Sequence, residues 1–585
     1  MGLWWFMLPV LAPDVLRCIQ LTEAISAMIE AERPTRIRLV DVVERRPYPL
    51  RLGLDANLPG KIAVLVSRSR GVAVCGLKAP ARRRWTWRSR YWCARVGMKV
   101  YFACVRPLIA RYRVWLTAGR QASSTPGGAG TVALVSSPVY WRQTVDGRGE
   151  QVCDDAIAGN CMRALGERGY DLLGIDVDLG SPNLRQFDVL RQKRARDGMR
   201  WRAIECFNGK PAGTARRRRL EALGREAGEE AVRHRGMPYS GLDLAPLLAG
   251  RFAYLFDRFL EDALGYLDAL EDMMASEKID LAVIVYEEGP AGRAATIAGQ
   301  RQQVPTLALQ HGTLSSPYAP AYYLPAVAAG ATGDPEACPI PDLTAVYGAH
   351  TRSMLVESSV YPADSVAAVG MPASDGIVEL ANATTPEQAR RKLGLAEEGP
   401  LVLVVSQPFF NRENRDYFAS EVLAAAGRVS EAAWAVKLHP SEEAGAWRHY
   451  IEGSGVGMRE FRGDLHLLLS ACDVVVSWYS TVIIEAVLFA RPVISVNIPG
   501  CLAPEDYRRD GLVVQAGDAT DIERQIRVLW RGGERREGQL HRGIKGVEKH
   551  VHKPNEAASE RVADLVEALA REGRIKRKKE KELKG

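Results

Sequence analysis

The chain has 585 residues, of which 47% are hydrophobic and 25% are charged, and its formal net charge is +8. This length exceeds what one core supports, so we expect two large domains. No run approaches the roughly 18 consecutive apolar residues of a membrane span, and the ten cysteines show neither a CxxC pair nor zinc-ligand spacing. These features exclude an integral membrane protein, a disulfide scaffold and a structural zinc domain, and they predict a cytoplasmic protein without a signal peptide.

The positive charge is concentrated in two segments of the chain. Sixteen Lys and Arg and no acidic residue lie between Asp55 and Asp146, and the tail 574–585 carries seven bases and two acids. A local positive field of this kind attracts an anionic partner.

Aromatic residues are interleaved with the arginines of the segment 80–117. Arginine with tryptophan and tyrosine on a helical stretch suits the surface of a membrane that contains anionic lipid. A solvated basic face is the alternative, and nucleic acid is not the expected partner. We therefore expect peripheral association with the inner face of the cell membrane. The residues predicted to contact the membrane or the acceptor are Arg83, Trp85, Trp87 and Arg90.

In the first third of the chain, apolar runs typical of strands lie at 37–43, 61–67, 131–138 and 169–180. The basic segment 80–117 interrupts them and is predicted to be a helical insertion. The last of these strands is followed by a less regular part of the chain.

The segment 181–250 is polar, rich in arginine and weakly periodic, which predicts an excursion or a mobile insertion. A strong helical pattern over 252–276 ends this irregular part of the chain.

From residue 279 onwards, strands and helices alternate regularly in two series. The first series predicts strands at 279–289, 304–312, 343–348 and 365–375, and helices at 290–303 and from 351. The second predicts strands at 400–408, 433–440, 472–480 and 491–500, and helices at 415–427, 442–452 and 480–490 and from 518 and 554. Continuously apolar strands separated by helices form parallel sheets that are covered on both faces.

The two series predict an α/β fold with two doubly wound, Rossmann-like domains that face a cleft. The first domain would span 1–375 and the second 399–573, joined by a linker at 376–398, and the tail 574–585 would be disordered. Ligands bind at the carboxyl ends of the strands in such folds. The chain has no Walker A sequence and no GxGxxG at a strand–helix junction, so a nucleotide would be held in another way.

Candidate catalytic residues follow two predicted strands of the first series. His311 lies in "LALQHGTL" (307–314), and a neutral imidazole at a strand end can accept a proton from an attacking hydroxyl. A structural histidine is the alternative. Glu287 and Glu288 could orient His311 or serve as the base, or they could be a solvated pair of carboxylates.

A candidate phosphate site follows two predicted strands of the second series. Lys437 and His439 are two positions apart, so their side chains point the same way along the strand and can donate to phosphate oxygens. Ser480 and Thr481 precede a helix, where hydroxyls and free N–H groups favour an anion. Glu485 follows on a similar face and could accept hydrogen bonds from a ribose. An ordinary N-cap, a solvated Glu485 and a packed His439 are the alternatives.

The sequence Asp–Val–Asp at 176–178 has the form of a metal-binding DxD motif. No other acidic cluster accompanies it, so we expect neither a metal nor a cofactor.

Three motifs, "QHGT" (310–313), "KLHP" (437–440) and "ACDVVVSWYSTVIIEAVLFARPVI" (471–494), occur in an order that resembles GT-B glycosyltransferases of surface and capsular polysaccharide synthesis. The chain is similar to the teichoic-acid CDP-glycerol glycerophosphotransferases and the capsule polysaccharide synthases. The non-hydrolysing UDP-N-acetylglucosamine 2-epimerases share the fold. The resemblance covers about 280–530 and implies a GT-B-like fold.

The resemblance implies a role for each matched residue. His311, assisted by Glu288, would activate the acceptor. The residues that would hold the phosphates and the nucleoside of the donor are Lys437, His439, Ser480, Thr481 and Glu485. The glycerophosphotransferases carry a "DYSS"-like sequence where this chain has "WYST" (478–481), which favours a nucleotide sugar as the donor.

We therefore predict a metal-independent glycosyltransferase that moves a sugar from a nucleotide-activated donor to a surface-polysaccharide or lipid-linked glycan acceptor. Three alternatives stay open: a glycerophosphotransferase-type polymer synthase, an isomerase similar to UDP-sugar 2-epimerases, and a non-catalytic scaffold of a polysaccharide assembly complex.

Overall fold

A computed structural model gives the structure of most of the chain. The described residues are 58–77, 101–118, 128–177, 185–207, 238–314, 338–358, 361–407, 412–440, 442–463, 465–499, 505–554 and 556–584, with parts of 15–40 and 218–229. Arg83, Trp85, Trp87 and Arg90, for which membrane or acceptor contact was predicted, lie outside them. No helix among the described residues is long and apolar enough to cross a membrane.

The strands are short, mostly four to six residues, and they are numbered in chain order. They are β1 (Arg36–Val40), β2 (Ala73–Leu77), β3 (Thr131–Ser136), β4 (Trp141–Val145), β5 (Gln151–Asp155), β6 (Asp171–Asp176), β7 (Arg200–Ala203), β8 (Pro238–Tyr239), β9 (Leu242–Asp243), β10 (Leu281–Val285), β11 (Thr306–Leu309), β12 (Leu343–Val346), β13 (Val366–Ala368), β14 (Leu401–Val405), β15 (Ala433–Lys437), β16 (Met458–Phe461), β17 (Val474–Ser477), β18 (Val493–Val496) and β19 (Val513–Ala516).

Helices follow most of these strands. They are α1 (Leu58–Ser69), α2 (Arg106–Ala118), α3 (Gly159–Glu167), α4 (Arg185–Ala195), α5 (Ala245–Tyr254), α6 (Leu260–Ser276), α7 (Pro290–Gln302), α8 (Ala349–Ser358), α9 (Ile377–Ala383), α10 (Pro386–Leu393), α11 (Arg412–Arg428), α12 (Arg448–Ser454), α13 (Leu465–Ala471), α14 (Val482–Leu488), α15 (Glu505–Arg509), α16 (Ala519–Trp530), α17 (Glu534–His550) and α18 (Ala558–Lys584).

Two parallel sheets organise the chain, which confirms the predicted α/β, doubly wound fold. The first has seven strands in the order β13-β12-β11-β10-β3-β6-β7, and the second has six in the order β16-β15-β14-β17-β18-β19. Their central strands are continuously apolar because helices cover both faces, and every residue of β10 and of β14 is buried.

Each sheet separates two hydrophobic clusters. Helices α6 and α7 pack on one face of the first sheet, and α3 and α18 pack on the other. In the second sheet, α11 and α16 cover one face, and α13 and α14 cover the other. Polar side chains are thereby left to the ends of the strands, where a ligand can reach them.

The predicted strand at 61–67 is wrong, because these residues belong to α1. Ile62, Ala63 and Val66 share one face of the helix and are buried. That face joins a small cluster with Leu247 and Leu248 of α5. A short apolar run does not distinguish a strand from a buried helix, and here the tertiary contacts decide.

The predicted excursion at 181–250 is wrong for its first part, which contains α4 and the edge strand β7 of the first sheet. The strand looked irregular in sequence because its two arginines bind polar groups instead of contributing apolar area: Arg202 donates to the Thr117 carbonyl, and Arg200 forms ion pairs. Arg200 pairs with Asp171 at 2.8 Å and with Glu277 at 3.2 Å. Between the arginines, Trp201 is fully buried.

The carboxyl-terminal helix α18 packs on the first sheet, although chain order had assigned residues up to 573 to the second domain. Val562, Ala563 and Val566 are buried in the same cluster as Val132 and Leu134 of β3. The helix continues through the predicted disordered tail as far as Lys584. Its later turns are held by arginines: Arg577 pairs with Asp280 at 2.9 Å, and Arg574 donates to the Ala129 carbonyl at 2.7 Å.

Candidate functional site

The carboxyl ends of the two sheets meet between the loop after β11 and the start of α14. The backbone N–H of Thr313 donates to Oγ1 of Thr481 at 3.3 Å, and the two threonine hydroxyls are 3.2 Å apart. The Thr313 hydroxyl is also 3.1 Å from the hydroxyl of Tyr507. Tyr507 lies on α15, the helix between strands β18 and β19 of the second sheet. Residues from both sheets therefore line one cleft, as the sequence predicted.

Gln310 fixes the conformation of the "QHGT" loop. Its side-chain oxygen accepts a hydrogen bond from the backbone N–H of Tyr347 at 2.7 Å, and its amide nitrogen donates to the Gly312 carbonyl at 2.8 Å. The first bond ties the loop to the end of the neighbouring strand β12, and the second closes the turn within the loop. The next side chain, that of His311, is consequently held in place by its backbone.

His311 lies in an aromatic enclosure at the end of β11. Its ring packs edge-on against Tyr286 with 4.9 Å between centroids, and Tyr140 lies on another side at 6.0 Å. Nε2 of His311 is 3.8 Å from Oε1 of Glu288. Burial lowers the pKa of His311 to about 4, so the imidazole is neutral at physiological pH and can accept a proton.

The turn between β10 and α7 gives the two adjacent glutamates different surroundings. Tyr286 has a φ of 68°, which a bulky residue rarely adopts. Helix α7 packs directly on this turn, since a Cβ at Gly292 would lie 2.3 Å from the Tyr286 carbonyl oxygen. Glu288 consequently lies beside His311, whereas Glu287 faces the interior of the first sheet.

Glu287 belongs to a buried network rather than to the cleft. Its carboxylate accepts hydrogen bonds from the hydroxyls of Tyr361 at 3.0 Å and Thr344 at 3.3 Å. Burial raises the pKa of Glu287 to about 7, against the opposing charge of Arg293. Of the two glutamates that the sequence placed at this strand end, only Glu288 is positioned to act with His311.

Lys437 and His439 lie together at the end of β15. Nζ of Lys437 is buried and donates to the Leu438 carbonyl at 2.5 Å. The backbone N–H of His439 donates to Glu442 at 2.8 Å, which fixes the turn that carries its ring. Burial, together with the charges of Arg142 and Lys437, lowers the pKa of His439 to about 4. His439 is therefore a neutral group beside two cations.

Arg142 is a residue of the cleft that sequence reasoning missed. It lies half-buried on β4, in the hairpin that follows β3 of the first sheet. Its charge lowers the pKa of His439 in the second sheet, and it also opposes the burial-driven rise in the pKa of Tyr347 in the first. The only sequence signal is an arginine in a short polar hairpin, which does not indicate that the hairpin reaches the cleft.

The predicted anion-binding segment at the start of α14 contacts the first sheet. Ser480 Oγ accepts a hydrogen bond from the Val482 N–H at 3.2 Å, as an N-cap does. The Thr481 hydroxyl contacts Thr313 across the cleft. Helix α14 has only seven residues, so its dipole is small and the side chains matter more than the helix.

Glu485 has a partner that was not predicted. Its Oε2 atom is 2.8 Å from Nε2 of His466, and both side chains are about one-tenth exposed. His466 lies within the apolar helix α13, where nothing in the sequence distinguishes it from a packed core histidine. The structure therefore places Glu485 behind the wall of the cleft. Burial is the main cause of the raised pKa of Tyr347 on the first sheet, and the charge of Glu485 is the second cause.

The Asp–Val–Asp motif at 176–178 does not present its first carboxylate to a metal. Asp176 is fully buried, and it forms ion pairs with Lys193 at 2.6 Å and with Arg113 at 3.1 Å. Asp178 lies outside the described residues. Within the described ranges, no three His, Cys, Asp or Glu side chains converge as metal ligands.

The burial of His311 predicts a pH-dependent stability. The unfolded pKa is near 6.5 and the folded pKa is about 4, so this contribution to stability is present above pH 6.5 and is lost as the pH falls towards 4. The side chain is 24% exposed, and we expect the loss to be about 1–3 kcal/mol. Urea unfolding measures this loss. Between pH 7.0 and pH 4.5, the free energy of unfolding should fall less in His311→Gln than in the parent protein. His541→Gln, at an exposed position, is the control and should leave the pH effect unchanged.

Comparison with known proteins gives a fold-level likeness at low identity. No protein-family model matches the chain, and no curated protein matches it. Many solved structures are similar to it, and three of them are described here. A UDP-GlcNAc 2-epimerase from Neisseria meningitidis bound to UDP-GlcNAc is 11% identical with a TM-score of 0.45, covering 74% of this chain and 98% of that one.

Two further similar structures are a UDP-GlcNAc 2-epimerase and a glycosyltransferase. The epimerase, from Methanocaldococcus jannaschii, is 11% identical with a TM-score of 0.44 and covers 75% of this chain and 99% of that one. The glycosyltransferase, from Rickettsia africae ESF-5, is 11% identical with a TM-score of 0.41, and the match covers 75% of this chain and 98% of that one. At these scores the likeness is weak, and the residues of the cleft are what bears on function.

Proposed function

We propose that the protein is a metal-independent, GT-B-like glycosyltransferase that uses a nucleotide-activated sugar and a surface-polysaccharide or lipid-linked glycan acceptor. One observation carries the proposal. A neutral histidine backed by a carboxylate, His311 with Glu288, stands at the end of one parallel sheet, and the cationic residues Lys437 and Arg142 surround His439 at the end of the other. Thr313 and Thr481 join the two sides.

The first sheet supplies the group that activates the acceptor. His311 accepts the proton of the attacking hydroxyl, which its neutral state at physiological pH allows. Glu288, 3.8 Å from Nε2, offsets the positive charge that then develops on the ring. Tyr140 and Tyr286 shield part of the ring from water, which strengthens this interaction.

The second sheet, together with Arg142 from the hairpin after β3, supplies the charge that the leaving nucleotide requires. Negative charge accumulates on the phosphates as the bond to the sugar breaks, and fixed cations and hydroxyls stabilise it without reorganisation. Lys437 and Arg142 provide the cations, and neutral His439 can donate an N–H. The hydroxyls of Ser480 and Thr481 complete the set at the start of α14.

A thermal-shift panel with UDP, GDP, CDP, CMP and dTDP in the presence of EDTA tests the donor site. A ligand at 100 times its dissociation constant stabilises the fold by about 2.7 kcal/mol, and we expect this shift for one nucleotide class. Lys437→Met should abolish it, because the phosphates lose a buried cation. Lys553→Met removes the same charge at an exposed site and should bind normally.

Two results of this panel would contradict the proposal. If none of the nucleotides raises the melting temperature, the scaffold alternative is favoured. A shift that Lys437→Met, Ser480→Ala and Thr481→Ala all leave intact would place the nucleotide elsewhere in the protein.

The His311–Glu288 pair also fits sugar epimerisation, the second candidate. In this reaction His311, with Glu288 3.8 Å from its Nε2, takes the proton from the carbon next to the anomeric carbon while the bond to the nucleotide breaks. The nucleotide then adds back, and a proton from solvent reaches the opposite face of the same carbon. Epimerisation forms product from the nucleotide sugar without an acceptor, whereas glycosyl transfer needs one. Incubation of the protein with the nucleotide sugar alone, followed by product analysis, separates the two.

A further inference from the structure

One face of helix α2 exposes large apolar side chains to solvent. Leu108 is 62% exposed and Trp115 69%, and Val105, one residue before the helix, is 41% exposed. The spacings of three and seven residues place them on the same side. Tyr112 lies between them and stacks on Trp115 with 5.6 Å between ring centroids. These four residues, called here the outer face of α2, form one continuous apolar stripe.

The opposite side of α2 fixes this stripe at the surface. Arg113 is fully buried and forms ion pairs with Asp176 at 3.1 Å and Glu205 at 3.0 Å. Leu116 and Thr117 are buried beside it. A helix anchored by buried ion pairs does not rotate to hide its other side, so the outer face stays in contact with solvent unless a partner covers it.

The surroundings of the stripe are basic. Arg111 is exposed next to the outer face, and Arg191 of α4, which pairs with Asp188 at 3.0 Å, donates to the Tyr112 hydroxyl at 2.7 Å. Acids from elsewhere pair with Arg106 and Arg113, but the sequence has no acidic residue between Asp55 and Asp146, so α2 itself supplies no carboxylate to offset Arg111. An anionic partner is therefore favoured.

The chemistry of the patch decides among anionic partners. Four side chains on one helix cover far less than the roughly 1,200 Å² of a stable protein interface, which disfavours a second copy of the chain. Nucleic acid would use the arginines but gains little from exposed leucine and valine. A bilayer surface with anionic lipid accommodates both the apolar side chains and the arginine. Tryptophan and tyrosine lie at the headgroup level there, and arginine contacts the lipid phosphates.

We propose that the outer face of α2 docks on an anionic membrane, with Leu108 and Trp115 entering the headgroup region and Arg111 facing the lipid phosphates. The inference is independent of the proposed enzymatic function, because vesicle binding requires no substrate.

Co-sedimentation of the full chain with phosphatidylcholine vesicles, with and without about one-quarter phosphatidylglycerol, tests the proposal. We expect binding only to the anionic vesicles. Leu108→Ser/Trp115→Ser should lower the affinity about tenfold or more, since two apolar side chains no longer leave water. Ile544→Ser is the matched control, because it removes an apolar side chain that is 51% exposed on α17, and it should bind like the parent protein.

Several outcomes would overturn the inference. These are a full chain that does not bind anionic vesicles, a double variant that binds as tightly as the parent, and an equal loss in Ile544→Ser. If circular dichroism shows that the double variant is unfolded, Arg111→Glu replaces it. This variant should bind the anionic vesicles more weakly than the parent protein does. Loss of oligonucleotide binding in these variants, with vesicle binding unchanged, would assign the face to nucleic acid instead.

Discussion

His311→Ala is expected to lower kcat by about 10²- to 10⁴-fold, the usual contribution of a general base. The KM for the nucleotide sugar should change little, because the proposed donor site consists mainly of residues of the other sheet. Initial rates with the donor class that the thermal-shift panel identifies measure both constants. A loss confined to kcat indicates an interaction made in the transition state.

Glu288→Gln distinguishes the base from its neighbour. Glutamine keeps the shape of the side chain but removes the charge that stabilises protonated His311, so kcat should fall by less than in His311→Ala. His541→Ala, at an exposed position on α17, is the control and should be fully active. An unchanged kcat in His311→Ala would mean that the histidine is structural and that another group takes the proton.

Asp176→Ala is expected to lower the free energy of unfolding by about 3–5 kcal/mol, because it removes one partner of a buried ion pair. Arg113, Lys193 and Asp176 are all fully buried. Without the carboxylate, Arg113 and Lys193 would stay in the interior with less negative charge to offset their own. Lys193 would retain its contact with the Trp201 ring, whose centroid is 4.3 Å from Nζ. Urea unfolding gives the change in midpoint and in slope.

Asp188→Ala is the matched control, since it removes an aspartate that is 67% exposed and pairs with Arg191 at 3.0 Å. We expect a change within about 0.5 kcal/mol for this exposed pair. A similar small effect in Asp176→Ala would show that water reaches the buried cluster, or that the helices α2 and α4 separate at little cost.

The sequence was sufficient to predict the strands that carry the cleft. The strand that ends before His311 and the one that ends at Lys437 are apolar apart from one terminal residue each and are bounded by helical patterns, so local periodicity identified them. Because parallel strands end at the same edge of a sheet, His311 could be predicted as a cleft residue from its position alone.

Contacts between distant parts of the chain could not be predicted in the same way. Arg142 reaches the cleft on a hairpin, and Glu485 is paired with His466 on a neighbouring helix. The different surroundings of Glu287 and Glu288 depend on the positive φ of Tyr286. None of these follows from periodicity, because each is decided by packing between segments that the sequence separates.

The position of α18 constrains the order in which the protein can fold during synthesis. Val562 and Val566 cover β3, yet the ribosome produces them only after every strand of the second sheet. Until then, Val132 and Leu134 lack part of their covering, and the nascent first half exposes apolar area to chaperones and to other chains. The amino-terminal sheet is therefore completed last, which reverses the usual order of cotranslational folding.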